Sequence, residues 1–437
     1  MLKRKKTNSN EEKVTPDFNP MIKIIFWNSL GFFFFSFIIP LFTTQLLGAS
    51  GTELGLSYAS QLFGALLSTP IVGYLTDRVS KKVLVLIGSF GRGAGYIIMY
   101  FAIIYSSLLI FNIGLFILGF FVGIFWSPLD ALISEKSYKK HRSYAFGKRG
   151  AMMGLGNLVG TVISFVIFGL TIIFIPEFTL LVYSPLILFG ASNVYAGIIF
   201  NRNVDEALTF EDHITKLREI RDDSFAIPQI TETNSQIESK AKISYIFILG
   251  FIILMFAFLT TNMNQMLAQP FLQPYLIEDL HIDNIAIVML IQFPSQVLAL
   301  LIAPKLGKIA DNINAIIGII AVSSLGSLVT WFIINSPTGW IFGLILILDS
   351  TLAWSGMLIL QNILSRISKT NRGKIFGATQ WISILGAIGG PVLGGFLWDD
   401  FGHTAPFILS IFVELSVIPL YLIAIRVLKP YMAEKID

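Results

Sequence analysis

Residues 73–82 read GYLTDRVSKK, and residues 307–314, 234 positions further on, read GKIADNIN. Each stretch follows a long apolar run and leads into another, and the offset extends well beyond the two loops. At 234, Pro40 falls on Pro274, Pro70 on Pro304, Gly73 on Gly307 and Asp77 on Asp311. At 230, residues 145–147 (Ala-Phe-Gly) fall on 375–377 (Ile-Phe-Gly), Gly156 on Gly386 and Gly160 on Gly390; Trp126-Ser127 lies over Trp354-Ser355 at 228. Identities in this order at a nearly constant offset mark an internal duplication, with both copies pointing the same way.

The material between the matches is membrane-like. The 437-residue chain is 54% hydrophobic and only 13% charged, and its mean hydropathy is +0.73; a soluble domain carries about 25% charged residues. A hydrocarbon core of roughly 30 Å takes about 20 apolar residues per helix. Runs of that kind occur at 22–47, 54–77, 83–104, 107–134, 145–172 and 178–200, then at 243–275, 284–307, 314–335, 338–364, 374–398 and 404–427. The expected architecture is all-α, with twelve transmembrane helices in two parallel-repeat six-helix bundles. The bundles take residues 1–200, with a basic N-terminal tail, and 243–437; the polar stretch 201–242 links them. The first run, which includes Pro40 and continues to about Leu47, is too long for the short apolar segment of a signal peptide and reads as helix 1. With no cysteine, the chain has no disulfide framework or thiolate metal site.

Alternating twelve spans from a cytoplasmic N-terminus puts 30 of the 31 Lys and Arg residues on the cytoplasmic side, leaving Arg92 inside a span. The outer loops carry only acids, among them Glu53, Glu177, Glu278, Asp279, Asp283, Asp399 and Asp400. This is the positive-inside pattern. Both termini are therefore expected in the cytoplasm of a multi-pass plasma-membrane protein. The basic balance points to anionic lipid headgroups as partners and away from nucleic acid.

The Gly73–Lys82 stretch resembles the signature loop of the major facilitator superfamily, with Ser80 where that loop usually has Gly. Its second copy keeps Gly307 and Asp311 but lacks the trailing cations. The resemblance implies alternating access between two six-helix halves, with Gly73, Asp77, Arg78 and Lys81 forming a gate. In residue terms, Gly73 allows close helix approach and the cations can hold a neighbouring helix through ion pairs. Residues 125–135 (FWSPLDALISE) resemble the superfamily's efflux-type branch, which implies that Glu135 completes the charge network with Arg78 or Lys81. The Arg that drug/proton antiporters often carry in helix 4 is missing. Glycines at 150, 154, 156 and 160, and again at 386–395, read as a hinge or a packing seam.

Ionisable groups within spans are functional candidates because burying them is costly. Arg92 and Asp130 lie at similar depth, and an ion pair between them is expected. Asp349 sits mid-span on a helix that lines the cavity in the resembled fold, which makes it the candidate for substrate or proton binding. Glu414 reads as structural, either paired or protonated. Asn262, Asn264 and Gln265, with Gln296 and Gln380, are too polar to face lipid and are expected at the cavity. Trp126, Trp354 and Trp381 could stack on a substrate, whereas Trp331, Trp340 and Trp398 read as interfacial anchors.

No phosphate-binding loop accompanies these features, and no soluble domain is large enough for ATP hydrolysis. Neither a metal-ligand spacing nor a nucleophile–base arrangement points to an enzyme. The resemblance implies a secondary transporter, without a cofactor and working as a monomer, that exports a small molecule against protons. Two alternatives are a non-transporting receptor on the same fold and a symporter taking up a sugar or metabolite. The topology has a direct check: a reporter fused at Asn234 should read as cytoplasmic, and an external reading would overturn the assigned orientation.

Overall fold

The computed structural model describes residues 13–76, 78–138, 142–174, 179–221, 245–295, 298, 302, 314–367 and 372–431. They form α1 (Phe18–Asn28), α2 (Phe32–Pro40), α3 (Gly51–Thr76), α4 (Lys81–Ile104), α5 (Leu108–Glu135), α6 (Arg142–Phe174), α7 (Thr179–Val182), α8 (Pro185–Asn203), α9 (Phe210–Arg221), α10 (Tyr245–Ala268) and α11 (Leu272–Glu278). After α12 (Ile285–Ser295) come α13 (Ala315–Ile334), α14 (Gly339–Ile367), α15 (Arg372–Phe401) and α16 (Ala405–Leu428). Among these residues the only β pairing is an isolated bridge between Val14 and Ser137. The protein is an all-α membrane protein.

Nine helices among the described residues are long and apolar enough to cross a membrane. The expected first span is broken: α1 and α2 are followed by a π-helical turn, Leu41–Leu46. Pro40 has no N–H to donate, which loosens the ladder here. Beside it, the Thr43 hydroxyl donates to the Ile39 carbonyl at 2.7 Å and the Thr44 hydroxyl to the Pro40 carbonyl at 2.8 Å. The duplicated position behaves alike, since α10 passes through a 3₁₀ turn at Gln269–Phe271 before Pro274 in α11. The second expected span, α3, has 26 residues but carries Glu53, Gln61 and several Ser and Thr. Only part of the eighth, α12 with Leu298 and Ile302, lies among the described residues. Twelve remains the expectation drawn from the sequence.

Lipid tails are as apolar as leucine, so helices associate in a membrane largely by close packing at small residues. That packing is duplicated here. A Cβ built on Gly156 would stand 2.4 Å from the Phe26 carbonyl oxygen, and one on Gly160 only 1.8 Å from that of Leu30. On α15, a Cβ built on Gly386 or Gly390 would stand 2.1 or 2.4 Å from the Leu259 and Met263 carbonyl oxygens of α10. The glycines at these four positions form packing seams, α6 on α1 and α15 on α10. By contrast, Gly150 and Gly154 face open space.

The buried core divides along the long axis. At the end carrying Glu53, Glu278 and Asp399, one apolar cluster draws together residues from both sides of the duplication, from Phe42, Phe111 and Phe168 to Tyr275, Phe342 and Trp398. Phe165 on α6 meets Phe293 on α12 edge to face, with centroids 5.3 Å apart. At the opposite, basic end there are separate clusters, one around Phe18, Phe125, Leu132 and Phe200 and the other around Leu254, Ile363, Tyr421 and Ile425. Among the described residues the two sets of helices are thus packed together at the acidic end and form separate clusters at the basic end.

The glycine seams make a paired prediction. Gly160→Ala should cost about 1–3 kcal/mol through overpacking and visibly lower the melting temperature of the solubilised protein, while Gly154→Ala should melt like the parent. Equal melting of the two variants would mean that the seam is not closed.

Candidate functional site

At the basic end, Asp77 lies outside the described residues. Gly73 is exposed, and among the described residues a Cβ there would touch nothing, so the expected close helix approach is not made at this glycine in this structure. Arg78 folds back onto its own helix, stacking on Tyr74 at 3.9 Å and donating to its hydroxyl. Lys81 is the residue that meets Glu135, at 3.1 Å, tying the start of α4 to the end of α5.

Residues not singled out from the sequence complete this network. Glu206, just beyond α8, accepts from the Ser80 hydroxyl and from the amide N–H groups of Lys81 (2.7 Å) and Lys82 (3.3 Å), capping α4 at its positive end. Partial burial would raise its pKa, but these donors and the Lys81 charge outweigh burial and hold the carboxyl below its ordinary range. Lys82 reaches the other way, donating to the carbonyls of Asn201 (2.9 Å) and Val204 (2.8 Å) at the negative end of α8. Lys136, only 1% exposed, pairs with Asp17 at 2.7 Å and donates to the carbonyls of Asp205 and Leu208. The partners are more than 60 residues apart in sequence, so spacing alone offered no signal beyond acids placed near span ends.

Arg92 and Asp130 do not pair. Arg92 is fully buried and donates to Asn28, to its side-chain oxygen at 3.2 Å and its backbone carbonyl at 2.6 Å. Its guanidinium lies 5.3 Å from the Phe32 ring and 5.1 Å from that of Phe125. Asp130 instead holds Arg149 of α6, Nε to Oδ1 at 2.6 Å and Nη2 to Oδ2 at 3.1 Å. Similar depth does not ensure contact. Arg92 sits on the face of α4 turned to α1, while Asp130 sits on the face of α5 turned to α6. Trp126, one turn from Asp130, stacks with Phe32 (centroids 6.2 Å apart) and lies under the Arg149 guanidinium at 4.7 Å.

The second copy carries acids in place of cations. Asn264 on α10 is buried and donates to Glu414 of α16 at 2.9 Å. Glu414 also bonds Ser323 of α13 and interacts with Asp349 of α14. The carboxyl therefore joins α10, α13 and α16, and Asn264 points into it rather than into a cavity, as had been expected. Asn262 bridges to Ser383 of α15 at 3.0 Å. Gln265, Gln380 and Trp381 are exposed and Trp354 is half-buried; Gln296 lies outside the described residues.

At the acidic end the two helix sets are joined by Asp399. Its carboxylate accepts from the Gly51 N–H (2.8 Å), the Thr52 N–H (2.8 Å) and the Thr52 hydroxyl (2.7 Å), capping α3 from the far end of α15. Backbones touch below it, since a Cβ on Gly55 would fall 2.2 Å from the Pro391 carbonyl and one on Gly395 2.3 Å from that of Gly51. Trp398 is not an interfacial anchor. It is buried and stacked between Phe271 (5.2 Å) and His403 (4.2 Å), and His403 in turn meets Asp279 at 2.9 Å and Glu278 at 3.5 Å. A cavity of about 310 Å³ opens between the sets here, lined by Thr44, Leu54, Phe271, Glu278, Asp399 and His403 among others.

Comparison with known proteins agrees with this architecture. The Major Facilitator Superfamily model matches residues 24–368 and again 254–436. The human MFS-type transporter SLC18B1 is 34% identical over 77 residues, a match that spans 18% of this chain and 17% of that protein. Among solved structures, a bacterial homolog of the human lysosomal transporter Spinster, inward-facing and occupied, superposes with a TM-score of 0.68 over 94% of this chain and 95% of its own, at 11% identity. The peptide transporter POT in complex with sulfate superposes with a TM-score of 0.68 over 98% and 97%, at 14% identity.

If Asp399 holds the acidic end shut, Asp399→Asn should weaken the closure by about 1–2 kcal/mol, since charge-assisted bonds become neutral ones. The native chain has no cysteine, so a single Leu54→Cys, buried in the seam, reports opening cleanly. Maleimide labelling in detergent should accelerate about 5- to 30-fold in the Asn variant. An unchanged labelling rate would show that closure does not depend on this carboxylate.

Proposed function

We propose that this chain, which belongs to the Major Facilitator Superfamily, is a secondary transporter that moves a small solute across the membrane by alternating access. Membrane transport of a solute is the activity of its family and fold. The observation that carries the finer reading is the divided core, joined at the acidic end through α3, α15 and the Asp399 cap and parted at the basic end. With the basic end in the cytoplasm, as positive-inside predicts, this is an inward-facing state. Rocking residues 1–200 against 243–437, with 201–242 as the link, breaks the Asp399 cap and closes the basic end. The Lys81–Glu135 pair lies within the first set, and the Glu206 cap fastens the start of the link onto it, keeping the ends of α4, α5 and α8 together while that set moves as a body.

Coupling is assigned to Asp349 and Glu414. Two carboxylates near each other inside a span, without a cation beside either among the described residues, are stable only if protons are shared between them and the surrounding groups. Hydration of that region as the sets part gives a proton a way on and off. Resemblance of residues 125–135 to the efflux-type branch favours proton-coupled export.

Counterflow by the purified protein in liposomes tests transport itself; binding without exchange would make the protein a receptor. Asp349→Asn keeps the shape but removes one titrating group. It should still exchange solute yet fail to accumulate it under an imposed pH difference. Full proton-driven accumulation would take Asp349 out of the mechanism, and equal loss of exchange and accumulation would make it a structural group.

A further inference from the structure

Arg149 is presented unlike any other cation described within the spans. Arg92 is wholly buried and its donors are turned to Asn28, so no solute reaches it. Arg149 and Asp130 retain side-chain exposures of 23% and 35%. They lie seven and five residues inside the basic ends of α6 and α5, which is about 8–10 Å at 1.5 Å per residue. α6 packs chiefly on α1 and α2, and α5 on α3 and α4; the ion pair crosses the gap between them. The pair keeps part of its surface exposed at that depth.

Three features prepare this guanidinium. Asp130 takes one edge, with Nη2 donating to Oδ2 at 3.1 Å and Nε in ion-pair contact with Oδ1 at 2.6 Å. The Trp126 ring lies against its face at 4.7 Å. The other edge, Nη1 with the second Nη2 hydrogen, has no partner among the described residues. A guanidinium locked on one edge and one face presents its remaining fork at little entropic cost, in the geometry that receives a planar oxyanion through two parallel hydrogen bonds. The local charge favours an anion, because Arg92 lies within 6.0 Å of the same indole and Asp130 offsets only one of the two arginines. Beside the fork, Trp126 and Phe32 supply an apolar aromatic wall.

We propose that the free edge of Arg149 is an oxyanion-binding position, and that the solute carried is an organic acid with a flat apolar body. This rests on the transport reading above and narrows it. The binding step would trade water on the Nη groups for carboxylate oxygens, with the body of the solute against Trp126.

The test uses the full chain in detergent at low ionic strength, with benzoate, benzamide and benzylamine as probes of one shape and three charges. Benzoate should raise the melting temperature saturably and the other two should not. Arg149→Lys keeps the charge and loses the fork, so benzoate affinity should fall about tenfold or more; Arg149→Gln should abolish the effect. If the Gln variant does not fold, the Lys variant decides alone. Equal stabilisation by all three probes, or benzoate binding unchanged in Arg149→Lys, would overturn the assignment. A lipid phosphate is the other source of the same chemistry. Stabilisation by added phosphatidylglycerol that is lost in Arg149→Lys, with no benzoate effect, would keep the oxyanion position and overturn the organic-acid solute. Because the readout is binding, each failure leaves counterflow to judge transport separately.

Discussion

The structure depends on backbone meeting backbone at glycine, where α6 lies on α1 and α15 lies on α10. In a membrane there is no hydrophobic gain from helix association, so dispersion at close approach and satisfied polar groups must hold the helices together. Gly156, Gly160, Gly386 and Gly390 supply that approach at duplicated positions. Each seam sets one broken helix, α1–α2 or α10–α11, against one long unbroken one. A third seam, α3 on α15 through Gly55 and Gly395, uses the same device between the two sets. The difference is that the third is closed by a removable lock, the Asp399 carboxylate on the α3 N-terminus.

Charge is distributed to match. The basic end of the first set is tied by groups of that set and of the start of the link, with Lys81 on Glu135, Lys82 on the end of α8, Glu206 on the start of α4 and Lys136 on Asp17. Such a network stiffens a body without joining it to its neighbour. Within the spans the first set holds Arg92 and the Arg149–Asp130 pair, and the second holds Asp349 and Glu414, its one described cation in α16 being Arg426 in the last turn. The ionisable groups within the two sets are therefore chemically unlike, despite descending from one duplicated pattern.

Some individual expectations failed for one reason. Arg92 with Asp130, Asn264 at the cavity, Trp398 as an anchor and Gly73 as a point of close approach were all drawn from depth or residue type. Depth along a helix axis follows from counting residues at 1.5 Å each. The face a residue presents depends on rotation about the axis, and in helices that are apolar nearly all round, the hydrophobic pattern carries almost no rotational signal. Asn28, Arg149 and Glu206 were overlooked for the same cause: each becomes meaningful only through a partner on another helix.

The sequence by itself determined that this is an all-helical membrane protein built on a duplication, where most of its chain crosses or leaves the bilayer, and which residues are too polar to be idle there. Those properties are written in local composition, in the positions of Lys and Arg, and in a constant offset between like residues. Only the tertiary structure decided which polar groups meet, that the seams are at Gly156, Gly160, Gly386 and Gly390 and not at Gly150 or Gly154, and that the two sets touch at the acidic end. Contacts of that kind depend on helix rotation and tilt. In a uniformly apolar solvent these are set by packing against neighbours, which no stretch of sequence contains alone.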